Sequence, residues 1–308
     1  MGTTYHVTYV VSGSLKPPSQ SAIENLLHEI NQSVSTYIPS SVISQLNSST
    51  DTQAWYPVDR HFASIFKRSR EIYDDTKGAF NPAVGPLVNA WGFGPVRTDA
   101  VPDEATVQRL LQTVSFEAFE FQDSPLVVRK RLADAQLDFG AIAKGYAADA
   151  IANLFKEAHI PDYLVEIAGE VRAHGEHPDG KPWQVGIEKP AEDALAPRKV
   201  QTVVELDDRG LATSGNYRNF QALDGKTFGH ILDPKTGYPV RNSLLSATVL
   251  APDAMTADAY ATAFIVMGVE AAMKLVDSHS ELSAYFIVRG EGGQVIVERP
   301  SSRFPQQQ

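Results

Sequence analysis

The chain reads as an α+β protein, and three observations point there. Helical periodicity dominates before Pro161, whereas short alternating strands dominate after it. Asp179-Gly180 and Asp224-Gly225 are strong hairpin-turn signals, and hairpins join antiparallel neighbours. Helices and strands are partly segregated, which favours α+β over a doubly wound parallel sheet.

The elements follow in order. Residues 1–10 open directly in an alternating strand pattern. Residues 17–36 read as a helix through Ile23, Leu26, Leu27 and Ile30, and residues 58–73 as a second through Phe62, Ile65, Phe66 and Ile72. A shorter helix spans 103–113. Segments 116–121 and 126–131 form a hairpin about Asp123-Ser124-Pro125. An apolar strand ends at Leu137-Asp138, passes through Gly140, and opens into a helix over 141–159. Strands are expected over 163–173, 183–188, 200–206, 211–213, 227–232 and 244–250. Asp253 is the N-cap candidate of a helix that runs to Met267 and stops at Gly268. A short helix to Asp277 follows, then a hairpin of 284–289 and 294–298 about Glu291-Gly292-Gly293, and a frayed tail over 305–308.

Size and charge narrow the function. With 308 residues the chain buries a substantial core, as one large domain or two lobes. A net charge of −10 without a Lys/Arg stripe argues against nucleic acid as a main partner. The absence of cysteine removes disulfides, thiolate nucleophiles and Cys-ligated metal centres. No apolar run of about 18 residues occurs, so no segment is expected to span a membrane. There is no basic n-region or apolar h-region at the start.

Five segments carry chemistry. The strand–glycine–helix junction of 137–149 places backbone N–H groups at a helix start, a setting that favours phosphate. Asp138 beside it could bond a ligand hydroxyl or base, or help hold a cation, and Lys144 reaches the same pocket. Residues 78–94 are dense in Gly, Pro and aromatics; such a loop is either structural or offers flat rings to a flavin or adenine. Ala212-Thr213-Ser214-Gly215-Asn216-Tyr217-Arg218-Asn219-Phe220 allows close backbone approach to a ligand, or is an ordinary β-turn. His230 is a satisfied histidine or a general base near a phosphate. Asp258 and Thr262 lie four apart on one helix face, an oxygen pair suited to Mg²⁺ unless both serve the helix alone. No Gly-x-Ser-x-Gly elbow or complete P-loop is present.

Taken in order, these segments resemble the ApbE family of FAD:protein FMN transferases over nearly the whole chain. The markers are Ser35-Thr36-Tyr37-Ile38-Pro39, residues 84–89 with Trp91-Gly92-Phe93-Gly94, residues 138–146, Thr213-Ser214-Gly215-Asn216-Tyr217, residues 230–239, and Ala257-Asp258 through Ala261-Thr262. The resemblance implies one catalytic domain over 1–308, two packed lobes with a boundary near 160, and mixed or antiparallel sheets with packed helices. It implies Mg²⁺-dependent transfer of the FMN half of FAD to a Thr or Ser hydroxyl of another protein, with AMP released. FAD contacts are expected from Met1, Tyr37, Gly78, Ala79, Phe80, Asp138, Lys144, Ser214, Gly215, His230, Ile231 and Leu232. Mg²⁺ falls to the carbonyl of Ala141 with Asp258 and Thr262, while His230 and Asp258 are the catalytic pair. Acceptors would carry a Ser/Thr-Gly-Ala-Ser/Thr-type motif, as in membrane redox-complex subunits.

The chain departs from the family pattern at Asn81, Ala83, Glu166 and Ala168, which touches nucleotide contacts but not the metal or histidine positions. Family members are exported and lipid-anchored at the periplasmic side of the bacterial inner membrane. Without an export signal or lipidated cysteine, this chain is expected to be the mature-like soluble portion. Two other activities suit the same residues: an Mg²⁺-dependent FAD pyrophosphatase and a non-catalytic flavin-binding protein.

Overall fold

The computed structural model describes residues 2–96, 98, 100–190, 199–215, 220–223, 226–290 and 296–305. Met1, the end of the Ser214 segment (216–219), the turns at 224–225 and 291–293, and the last three residues lie outside them. The elements in chain order are β1 (Tyr5–Val10), α1 (Gln20–Val34), α2 (Val42–Ser48), β2 (Tyr56–Pro57), α3 (Arg60–Asp75), α4 (Gly85–Ala90), α5 (Glu104–Leu111), β3 (Phe119–Asp123), β4 (Leu126–Lys130) and α6 (Ala143–Glu157). There follow β5 (Asp162–Ile167), β6 (Glu170–His174), β7 (Trp183–Glu188), β8 (Val200–Leu206), β9 (Gly210–Gly215), β10 (Phe220–Leu223), β11 (Lys226–Gly229), β12 (Leu244–Ala251), α7 (Ala254–Met267), α8 (Val269–Ser278), β13 (Ser283–Arg289) and β14 (Ile296–Pro300). Among the described residues the class is α+β, as the sequence predicts.

The chain forms two compact units, one of Met1–Leu27, Ile142–Arg218 and Asn242–Gln308, the other of His28–Ala141 and Asn219–Arg241. Residue 160 therefore lies inside the first unit. That unit is built on a seven-stranded sheet in the order β1-β5-β6-β9-β12-β13-β14, with each neighbouring pair antiparallel. Helices α6 and α7 pack on it, α6 over β5 and β6 and α7 over β9 and β12. Alternation along β13 sorts the two faces. Tyr285 and Ile287 join Trp183, Ile187, Val204 and Leu206 of the β7–β8 hairpin, whereas Phe286 meets Phe264 of α7 edge to face. Because the sheet is covered on both sides, β12 and β13 are buried along nearly their whole length.

The second unit holds α2 to α5, the sheet β2-β4-β3 and the β10–β11 hairpin. Its centre is aromatic, with Phe62 edge-on to Phe139 and Phe66 against Phe116. A second cluster gathers Leu87, Trp91, Phe228 and Leu232.

Four expectations are corrected. The strand expected over 163–173 is two, because Ala168 and Gly169 take positive φ (57° and 104°) and fold it into a β5–β6 hairpin. The Gly/Pro-rich 78–94 segment is not irregular throughout, since Pro86 sits in the first turn of α4, where its missing N–H costs nothing. Its rings Phe80 and Trp91 are buried, which fits the structural one of the two readings its sequence allows. The strand expected over 227–232 ends at Gly229. Finally, no strand leads into Asp138. The Asn47 amide takes the place of a sheet neighbour: its Oδ1 accepts from Leu137 N (2.8 Å) and its Nδ2 donates to Leu137 O (2.8 Å).

Candidate functional site

In the first unit, the site grows from the start of α6. This helix has no side-chain cap of its own. Two of its first N–H groups turn to α7, where Asp258 accepts from Lys144 N and, at Oδ2, from Gly145 N (3.0 Å). At this helix start an internal carboxylate, that of Asp258, meets the backbone N–H groups. The crossing is close enough to exclude a side chain at Gly145, where a Cβ would sit 2.2 Å from Ala254 O. One turn further along α6, Asp149 accepts from Ala254 N (2.9 Å) and Met255 N (2.8 Å) and fixes the start of α7. Burial, then the charge of Asp253, pushes the Asp149 carboxyl up to about 7. Asp253 caps α7 through Thr256 N (2.7 Å), as expected.

Three charges meet above this crossing. Lys144 Nζ lies 3.0 Å from Glu170 Oε1 and 3.8 Å from Asp258 Oδ1. Asp258 is 2 % exposed and Glu170 5 %. Burial raises the carboxyl pKa of Asp258, against the pull of Lys144 and the Gly145 N–H. The Glu170 carboxyl is raised by burial and then by the negative charge of Asp258. Burial acts to lower the Lys144 ammonium, but the two carboxylates outweigh it and hold the group above the usual lysine range. One turn beyond Asp258, Thr262 Oγ1 is 2.8 Å from Ser214 Oγ on β9, the strand that Gly215 ends. Sequence reading missed Glu170. No local signal marks it, because its strand also carries Arg172 and His174 and its lysine partner is 26 positions away, reached only through the fold.

The second unit holds Tyr37, Gly78, Ala79, Phe80, Asp138, Ala141, His230, Ile231 and Leu232. Asp138 is fixed from both sides, its N–H donating to Pro82 O (2.7 Å) and its Oδ1 accepting from Gly140 N (2.6 Å). Burial raises its carboxyl pKa, and the Gly140 N–H opposes the shift. Asp138 lines a cleft of about 400 Å³ with Asn47, Asn89, Gln136 and Leu137. The fully buried Lys130 steadies this wall, its Nζ donating to Asn47 O (3.0 Å) and Ala135 O (3.2 Å). Burial brings the Lys130 ammonium down to about 8, against the charge of Asp134.

Tyr37 is 65 % exposed, and its hydroxyl donates to Phe93 O at 3.0 Å. The Phe93 ring in turn stands edge-on to His230, centroids 6.4 Å apart. Sequence reading grouped Phe93 with a family motif but did not place it beside the histidine. Ile231 and Leu232 are buried, as are Ala79 and Phe80, while Gly78 takes a φ of 79° at the end of α3. Ala141 lies in the turn before α6. Trp91 Nε1 donates to Gly237 O (2.9 Å) and ties the segment after His230 to α4.

The first unit thus carries a half-buried lysine between two buried carboxylates, and the second an aromatic-flanked histidine. The ApbE family model matches residues 1–286. A FAD:protein FMN transferase of Haemophilus influenzae is 36 % identical over 310 residues, covering 99 % of this chain and 88 % of the relative. One from Vibrio cholerae is 36 % identical over 307 residues, covering 99 % and 89 %. Among solved structures, the flavin transferase ApbE from Vibrio cholerae superposes with a TM-score of 0.87 at 34 % identity, covering 99 % of this chain and 95 % of that one. The apo flavinyl transferase ApbE of Pseudomonas stutzeri gives 0.85 at 32 % identity, covering 98 % and 92 %. The chain belongs to the ApbE family and is a transferase.

Proposed function

We propose that this protein transfers the FMN half of FAD to a Thr or Ser hydroxyl of an acceptor protein, releasing AMP, with Mg²⁺ bound. The observation that carries the reading is the Lys144–Glu170–Asp258 cluster: two buried carboxylates share one ammonium, and the ionised group is short of one positive charge. A hard cation supplies that charge. Asp258 with the Thr262 hydroxyl one turn away is an oxygen donor set of the kind Mg²⁺ takes, few in number and completed by phosphate and water.

Bound Mg²⁺ would offset charge on the pyrophosphate as the phosphoanhydride bond breaks. The chain's residues do the rest. Lys144 binds the phosphates electrostatically, Asp138 in its cleft bonds FAD, and Tyr37 with Phe93 offers ring faces to the isoalloxazine. His230 accepts the proton of the attacking hydroxyl, a role imidazole fills near neutral pH. Acceptors are proteins with a Ser/Thr-Gly-Ala-Ser/Thr-type motif, met on the periplasmic side of the inner membrane. No helix among the described residues is long and apolar enough to cross a membrane.

Incubation with FAD, Mg²⁺ and an acceptor peptide carrying the motif tests this by mass spectrometry. The expected product is a peptide heavier by one FMN, with AMP in equal amount, and a His230→Ala rate lower by about 10²–10⁴-fold. FMN and AMP formed with no peptide modification would make the enzyme a FAD pyrophosphatase instead.

A further inference from the structure

Glu170 stands in an arrangement that stability does not explain. Its Oε1 is committed to Lys144, and its Oε2 is buried with no hydrogen-bond partner among the described residues. A buried ion pair contributes little net stability, and an unpaired buried carboxylate oxygen costs some. An apolar residue here would suit folding better. The position of this carboxylate is nevertheless rigidly set. Glu170 closes the β5–β6 hairpin opposite Ile167, and Glu166 Oε1 fixes the turn by accepting from Gly169 N at 2.6 Å.

The distances around Lys144 are unequal. Its ammonium is within hydrogen-bond range of Glu170 (3.0 Å) and beyond it for Asp258 (3.8 Å), although both carboxylates are buried beside it. The Asp258 carboxylate accepts from two backbone N–H groups, of Gly145 (at Oδ2) and of Lys144, and Oδ1 is the oxygen that faces the ammonium. An untethered ammonium would close on that oxygen and satisfy it. We infer that Glu170 is a positioning residue: it draws Lys144 aside and keeps Asp258 Oδ1 open to a divalent cation. The inference rests on the metal reading proposed above and assigns Glu170 no contact with substrate.

The test measures binding of Mn²⁺, an EPR-visible substitute for Mg²⁺, to the full chain without FAD. Wild type, Glu170→Gln, Lys144→Met and the double variant are compared, each checked for folding by circular dichroism. Glu170→Gln is expected to weaken Mn²⁺ binding at least tenfold in the wild-type background and less than threefold in the Lys144→Met background. Lys144→Met alone is expected to bind Mn²⁺ more tightly than wild type, and it decides the matter if Glu170→Gln does not fold. Equal weakening by Glu170→Gln in both backgrounds would show a charge or ligand acting without the lysine, and overturn the tether. Weaker binding by Lys144→Met would overturn it too. If wild type binds no Mn²⁺ while the fold is intact, the metal reading itself fails and this inference falls with it.

Discussion

Ser214 and Thr262 meet hydroxyl to hydroxyl, 2.8 Å apart, where β9 runs beside α7. One donates and the other accepts, so the Ser214 hydroxyl sets which way the lone pairs of Thr262 point. If Thr262 binds Mg²⁺ as proposed, the group that orients its oxygen matters nearly as much as the oxygen itself. Ser214→Ala and Thr262→Val are therefore each expected to raise the Mg²⁺ concentration for half-maximal activity by about 10–100-fold. Thr262→Ser should restore most of the loss. A titration of activity against Mg²⁺ that is unchanged in both variants would make the pair a packing contact only.

Lys130 leads to a prediction about pH. Its folded pKa of about 8 lies below the ordinary lysine value, because burial disfavours the charged form. Between about pH 8 and 10.5 the unfolded chain holds a proton here that the folded one has released, so stability rises with pH across that window. The contribution is about 3 kcal/mol at most. Denaturant unfolding of wild type and Lys130→Met from pH 7 to 10.5 isolates it. The wild type should gain stability relative to the variant, and parallel curves would show that Lys130 is not desolvated as its surroundings imply.

A third prediction concerns Ala168, which holds a φ of 57° in the β5–β6 turn. A Cβ in that left-handed conformation costs roughly 1–2 kcal/mol, partly offset in glycine by its greater freedom when unfolded. Ala168→Gly is expected to stabilise the protein by about 1 kcal/mol, seen as a higher denaturation midpoint at constant slope. A lower midpoint would show that the turn tolerates alanine without strain.

The long elements with local signals were legible. Asp253 announces α7, Gly268 ends it, and the alternation of 183–188 and 200–206 marks the β7–β8 pair. Asp258 and Thr262 were legible as a pair because helical periodicity alone puts them on one face. What failed was tertiary substitution for local rules. Leu137 looks like the end of a strand, yet the Asn47 amide, 90 positions away, supplies its hydrogen bonds. At the 138–146 junction the Gly145 N–H goes to Asp258, 113 positions further on, a partner that no local rule announces. Glu170 could not be read as functional because nothing near it in sequence names Lys144. Helix α2, with only seven residues, is too short for periodicity to reveal, although Ser41 caps it through Ser44 N.

The interleaving of the two units governs the order in which the protein comes into being. The chain leaves the first unit after residue 27, returns at 142, leaves again after 218 and returns at 242. A ribosome thus delivers most of the second unit before β5, the neighbour that β1 needs, has been made. Lys144 and Glu170 emerge next, and Asp258 and Thr262 only near the end. The Lys144–Glu170 pair is therefore made before Asp258, the third charge of the cluster, emerges on α7. Neither unit can be cut out as one continuous gene fragment, so a shortened version of either must be made by joining distant segments with new linkers.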